Sequence, residues 1–175
     1  MALGPPNPLI ARDLEAAFAA LDSPEQLPPL LDLVLAEPEA GERVAQSELA
    51  NPTTKPRALA ALLVQAEAMI RRGQGKAAVL VLGKALGLQE WMGQEFSGLT
   101  LAMLAEAQAL WGNLGKAQQT AEKALERSQD PYSQSRALWA MSKATGEASW
   151  AGKARDAAAE SGCARWVEYL GIRVP

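Results

Sequence analysis

The sequence predicts an all-α chain of antiparallel helical hairpins stacked in order, and three observations predict it. Aromatics are only 5% of the residues while alanine is abundant, and alanine is the strongest helix former and lets backbones approach closely. Strand formers do not cluster; the one β-like run, Val79-Leu80-Val81, falls inside a helical period. A spacing of one glycine and two alanines recurs three times along the chain: Gly73, Ala78, Ala85; Gly112, Ala117, Ala124; Gly146, Ala151, Ala158.

Bulk properties bound the function. The chain has 175 residues, 49% hydrophobic and 21% charged, which fits one folded domain with a real core. No apolar run reaches the length of a membrane span, and MALGPPNPLIARD lacks the basic and apolar regions of a secretory signal. With one cysteine, Cys163, no internal disulfide forms, and a cytoplasmic location is expected. Charge is uneven: residues 1–50 hold Arg12 and Arg43 against nine acids, whereas residues 51–175 carry a net of +4. An acidic chain without a Lys/Arg block is a poor nucleic-acid binder. The acidic third reads first as a solvated helix face, with a docking surface as the alternative.

The elements follow in order. Residues 1–8, with Gly4, Pro5, Pro6 and Pro8, are expected to form a flexible leader. Residues 9–50 form an acidic helical segment. Leu9, Ile10, Leu14, Phe18 and Leu21 keep helical spacing, Ser23-Pro24-Glu25-Gln26 forms a capping box, and Leu27 to Leu35 follow, with Pro28 and Pro29 able to shift the start. Glu39–Leu49 is a more polar helix. Residues 51–56, NPTTKP, are the clearest breaker and mark a subdomain boundary. Helices are then expected from Arg57 to Arg72 and from Gly75 to about Leu88, with Gly83 explained by a close helix neighbour. Residues 89–97 extend the turn. The central hairpin spans 99–112 and 114–128. Asp130-Pro131 opens the next helix, to Thr145-Gly146; another runs to Glu160, and Cys163–Leu170 covers the last hairpin, with Trp166, Val167 and Leu170 on one face.

The glycines are 39 and then 34 residues apart, so the first junction carries extra residues at 89–97. With Leu101, Leu104, Ala105 and Pro131 added to the glycine–alanine set, residues 59–163 resemble the tetratricopeptide repeat, within a domain of repeats and cap at 57–170. Gln65 and Trp139 depart from its usual leucine and small residue. The resemblance implies a short right-handed solenoid with a C-terminal capping helix, residues 9–50 being a divergent repeat or an N-terminal cap. It also implies a concave groove lined by the first helix of each pair: Leu63, Glu67, Ile70 and Arg71; Ala102, Glu106, Ala109 and Leu110; Arg136, Ala140 and Lys143. One subgroup grips a peptide's terminal carboxylate with a Lys/Asn/Arg clamp; its asparagines are not matched here, so that specificity is not carried over.

Chemistry-bearing constellations are few. No histidine exists, which removes the commonest general base and metal ligand. Arg71-Arg72-Gly73-Gln74-Gly75-Lys76 lacks the strand of a phosphate loop and reads as a helix–helix turn with solvated charges. Glu67 and Glu106 occupy equivalent places in two repeats and read as solvated or groove-lining acids. Cys163 reads as a packed cysteine rather than a reactive one. Of the five tryptophans, Trp91, with Phe96, is the expected exposed anchor. The sequence therefore predicts a non-enzymatic adaptor or scaffold, without cofactor, metal, nucleic acid or membrane. It would bind a partner peptide or helix in the groove; a self-associating or ligand-sensing homodimer is the alternative.

Overall fold

Prolines and capping side chains set where the helices begin. The computed structural model describes residues 8–51, 54–92 and 97–173, and among them are ten α-helices, one 3-10 turn and no strand. Helix α1 spans Pro8–Ala19, so Pro8 belongs to the helix and not to the leader; residues 1–7 of the leader lie outside the described residues. Ser23 precedes a single 3-10 turn, Pro24–Gln26, and α2 (Leu27–Ala36) follows directly, because Pro28 and Pro29 fit only a first turn. Gln26 Oε1 accepts the Ser23 N–H at 3.0 Å, as a capping box requires, and the Ser23 hydroxyl donates to Glu25 Oε2 at 2.6 Å. Helix α3 spans Pro38–Ala50 and α4 Lys55–Arg71, the latter opened by Thr54 Oγ1 accepting the Arg57 N–H at 3.3 Å. Then come α5 (Gly75–Met92), α6 (Ser97–Leu110), α7 (Leu114–Arg127), α8 (Pro131–Thr145), α9 (Ala148–Glu160) and α10 (Ala164–Arg173). Asp130 Oδ2 accepts the Ser133 N–H at 2.9 Å, which is the predicted cap of α8.

Helices pack on their chain neighbours: α4 with α5, α5 with α6, α6 with α7, α7 with α8 and α8 with α9. Helix α6 also packs on α8 and more lightly on α4, so α4, α6 and α8 form one layer and α5, α7 and α9 return behind it. The turn glycines Gly73, Gly112 and Gly146 have φ of 74°, 90° and 74°, a conformation that costs other residues a Cβ clash. Ala105, Ala117 and Ala124 are fully buried, Ala105 and Ala124 among side chains of α6, α7 and α8. Gly83 is a correction: nothing lies within 4 Å of the place its Cβ would occupy. The close approach is at Gly75, where a Cβ would stand 2.7 Å from the Ala107 carbonyl oxygen and 2.8 Å from the Trp111 nitrogen.

The expected boundary at 51–56 does not divide the core; residues 52–53 themselves lie outside the described residues. One hydrophobic cluster runs from Leu14 and Phe18 through Leu31, Leu63, Leu82 and Met103 to Trp166 and Leu170. The acidic third is also tied in electrostatically. Glu48 pairs with Arg57 at 2.8 Å, Glu42 with Arg72, and Asp32 with Arg165 at 3.5 Å. The charge asymmetry read from the sequence is thus used in part within the fold. Among the described residues no helix is long and apolar enough to cross a membrane.

Candidate functional site

The face formed by α4, α6 and α8 is where the sequence places a groove, and the structure fills it. On α4, Glu67 and Arg71 stand one turn apart; on α8, Tyr132, Arg136, Trp139 and Lys143 follow at helical spacing; α6 contributes Glu106 between them. These residues meet. Arg136 Nη2 donates to Glu67 Oε2 at 2.6 Å and to Glu106 Oε1 at 3.2 Å. Arg71 Nη2 donates to Glu106 Oε2 at 2.8 Å, and its Nε lies 3.1 Å from Glu67 Oε1, an ion pair without hydrogen-bond alignment. Trp139 Nε1 donates to Glu106 Oε2 at 3.3 Å, and Arg136 Nη1 donates to the Tyr132 hydroxyl at 3.1 Å.

The cluster balances two carboxylates against two guanidiniums and is almost wholly dry: Glu67 and Arg136 are 0% exposed and Glu106 is 4% exposed. Burial pushes the Glu67 carboxyl up, but the opposing fields of Arg136 and Arg71 win and hold it below its ordinary value. Burial likewise works against the charge on Arg136, and Glu67, Tyr132 and Glu106 overcome it, so the guanidinium stays protonated. A Glu67 carboxylate held this way is a charge partner, not a proton donor near neutrality.

Helix α10 lies over this cluster. Trp166 Nε1 donates to Ser135 Oγ at 2.8 Å, and Ser135 Oγ donates to the Ala154 carbonyl at 2.7 Å. The Trp166 ring covers the Arg136 guanidinium at 4.5 Å and stacks on Tyr169 at 5.3 Å, 10° from parallel. Tyr169 in turn covers Arg71 at 4.5 Å and Arg173 at 3.6 Å. The result is a ladder of cation and ring faces, a geometry worth about 0.5–2 kcal/mol per rung depending on desolvation. The start of α10 is held from α2: Asp32 Oδ1 accepts the Trp166 N–H at 2.9 Å, and Asp32 Oδ2 lies 3.5 Å from the Arg165 N.

Most of the predicted groove residues are therefore in one place but not open. Leu63, Glu67, Ile70, Glu106 and Arg136 are buried, and the Arg71 side chain is 8% exposed. The expectations of an open groove, of solvated acids and of a solvated Arg71 are corrected. The physical reason is that α10 crosses to α2 instead of only covering the last hairpin. Leu110 and Lys143 remain exposed at the margin, with Lys143 Nζ 4.4 Å above the Trp139 ring. Of the expected anchors, Phe96 lies outside the described residues and Trp91 is described only as part of α5. Among the side chains described, the exposed tryptophan is Trp111, beside Leu110 and Leu114.

Asp32, Tyr132, Ser135 and Tyr169 are functional neighbours that the sequence did not single out. The signal for Tyr169 was present in Trp166-x-x-Tyr169, two rings on one face of a short helix; for Asp32 no local signal exists, because its partner is far away in the chain. Cys163 sits at the start of α10, and burial, followed by the charge of Asp32, pushes its thiol up to about 11. Among the described residues no group of acids, histidines or cysteines could hold a metal ion. No family model, no curated protein and no solved structure matches this chain.

Proposed function

We propose that this chain is a non-enzymatic protein-interaction module, an adaptor or scaffold, that holds a helical segment of a partner protein against the α4/α6/α8 face. The observation that carries this reading is α10. A ten-residue helix already lies on that face, held by two rings over two guanidiniums and one indole hydrogen bond. A surface with those contacts has the chemistry to recognise a helix. The chain-order packing and the recurring turn glycines support the finer reading of a short right-handed tetratricopeptide-like solenoid, with α1–α3 as a divergent repeat or cap. The lone cysteine supports a cytoplasmic setting. Self-association has one observation in its favour, the exposed trio Leu110, Trp111 and Leu114.

Lysine-reactive cross-linking of the whole chain in native extract, with the linked positions mapped, tests the reading. Partner cross-links at Lys143, at the margin of the face, support it. Cross-links confined to Lys84, Lys116 and Lys123, or no reproducible foreign partner, overturn it. Light scattering that finds a stable homodimer at micromolar concentration favours self-association instead.

A further inference from the structure

Helix α10 is held by few side chains, partly in the core and partly over charge. Its buried side chains are only Trp166 and Leu170, while Ala164, Arg165, Glu168, Gly171, Ile172 and Arg173 face outward. Guanidiniums lie against the two rings, while Trp166 and Leu170 also join the central hydrophobic cluster. Burying the guanidiniums carries a desolvation cost. Uncovering them returns charge to water, which offsets part of the cost of exposing Trp166 and Leu170 when the helix lifts.

The helix also depends on its seat. Cys163, at its N-cap, has no capping oxygen, and the Arg165 and Trp166 N–H groups turn to Asp32 on α2. A ten-residue helix without a cap of its own does not persist in water. Release and melting of α10 therefore occur together. The connection is three residues, Ser161-Gly162-Cys163, with Gly162 at φ 73°. All three line a cleft of about 880 Å³ that opens beside α2, so the joint has room to move.

The geometry points to α10 as an exchangeable occupant. A helix from another protein, carrying tryptophan and tyrosine at i and i+3 and leucine at i+4, takes its place. The rings go over Arg136 and Arg71, the indole N–H to Ser135, and the first turn to Asp32. The inference rests on the proposed helix-binding function and adds its partner chemistry and its regulation: the free chain is closed by its own tail.

The test uses a labelled peptide of residues 161–173, with Cys163→Ser, added to the full-length chain and to the full-length Trp166→Ala variant, and read by fluorescence anisotropy. Exchange predicts binding to the variant at least tenfold tighter than to the parent, and no binding of a peptide that itself carries Trp166→Ala. Equal affinities, or no binding to a variant that keeps its helical circular dichroism, overturn the inference. If the variant fails to fold, hydrogen exchange on the parent decides. Amides at 167–170 that exchange at least a hundredfold faster than those of α8 support it; equal protection overturns it. A parent chain that forms a dimer by trading α10 between copies overturns the assignment to a foreign helix. Cross-links at Lys143 with no peptide exchange sink this inference alone; peptide exchange with no cellular partner on this face leaves α10 detachable but overturns both the function and the foreign helix.

Discussion

Asp32 and Trp166 are 134 positions apart, and the carboxylate of the first accepts the backbone N–H of the second at 2.9 Å. One bond thus joins the second helix to the last. It closes the stack on itself and holds the tail over the α4/α6/α8 face. Asp32→Ala is expected to cost about 1–2 kcal/mol, the usual worth of an N-cap. Asp32→Asn should cost less than half of that, since an amide oxygen still accepts. Urea unfolding of the three chains checks this, and equal midpoints for parent and Asp32→Ala would refute the cap.

Arg136 is the fully buried cation on which both carboxylates converge. Arg136→Met leaves Glu67 and Glu106 with Arg71 alone, and the expected loss is about 3–5 kcal/mol, the range for breaking one side of a buried pair. The double variant Arg136→Met, Glu67→Leu should recover part of that loss, because it removes an unpaired buried charge. Denaturant melts of the single and double variants decide; a double variant weaker than the single one contradicts the account.

Acid should loosen the fold through Glu67. Its carboxyl is held below the ordinary value of 4.5 by Arg136 and Arg71 against the opposing effect of burial. The unfolded carboxyl therefore takes up its proton at higher pH than the folded one. The stability it contributes is full above 4.5 and is lost as pH falls through the lower folded value. Thermal melts at a series of acidic pH values should show a flatter decline for Glu67→Gln than for the parent chain.

Cys163 should be slow to react. Burial and the Asp32 carboxylate raise its thiol to about 11 from an ordinary 9.0. At about pH 8 the folded chain should react with a disulfide reagent at least roughly tenfold more slowly than the chain in urea, where the thiolate fraction is larger. The same shift makes a small contribution to stability that is complete below pH 9 and disappears as pH rises through 11.

Two glycines in or at the start of α5 should respond in opposite directions. Gly75→Ala drives a Cβ to within 2.7 Å of the α6 backbone, and overpacking of this kind costs about 1–3 kcal/mol. Gly83→Ala meets open space and should gain up to about 1 kcal/mol from helix propensity. Parallel thermal melts are sufficient, and a stabilised Gly75→Ala would show that α5 and α6 are not so close.

Helix existence, order and most ends were determined by the sequence alone, because they rest on contacts within a few residues: Asp130 reaching Ser133, prolines in first turns, glycines at positive φ, alanines at the spacing where helices touch. That Glu67 and Glu106 share one side was legible too, from their equivalent places in two successive hairpins, and Arg136 was set beside them by the repeat resemblance. What fills that side was decided only by tertiary structure. Whether a charged face stays wet depends on whether another element reaches it, and α10 reaches it through Asp32, Ser135 and the two guanidiniums, none of which lies near it in the chain. No local pattern around Trp166 or Asp32 encodes a bond between them; the packing of the intervening helices brings α2 and α10 together.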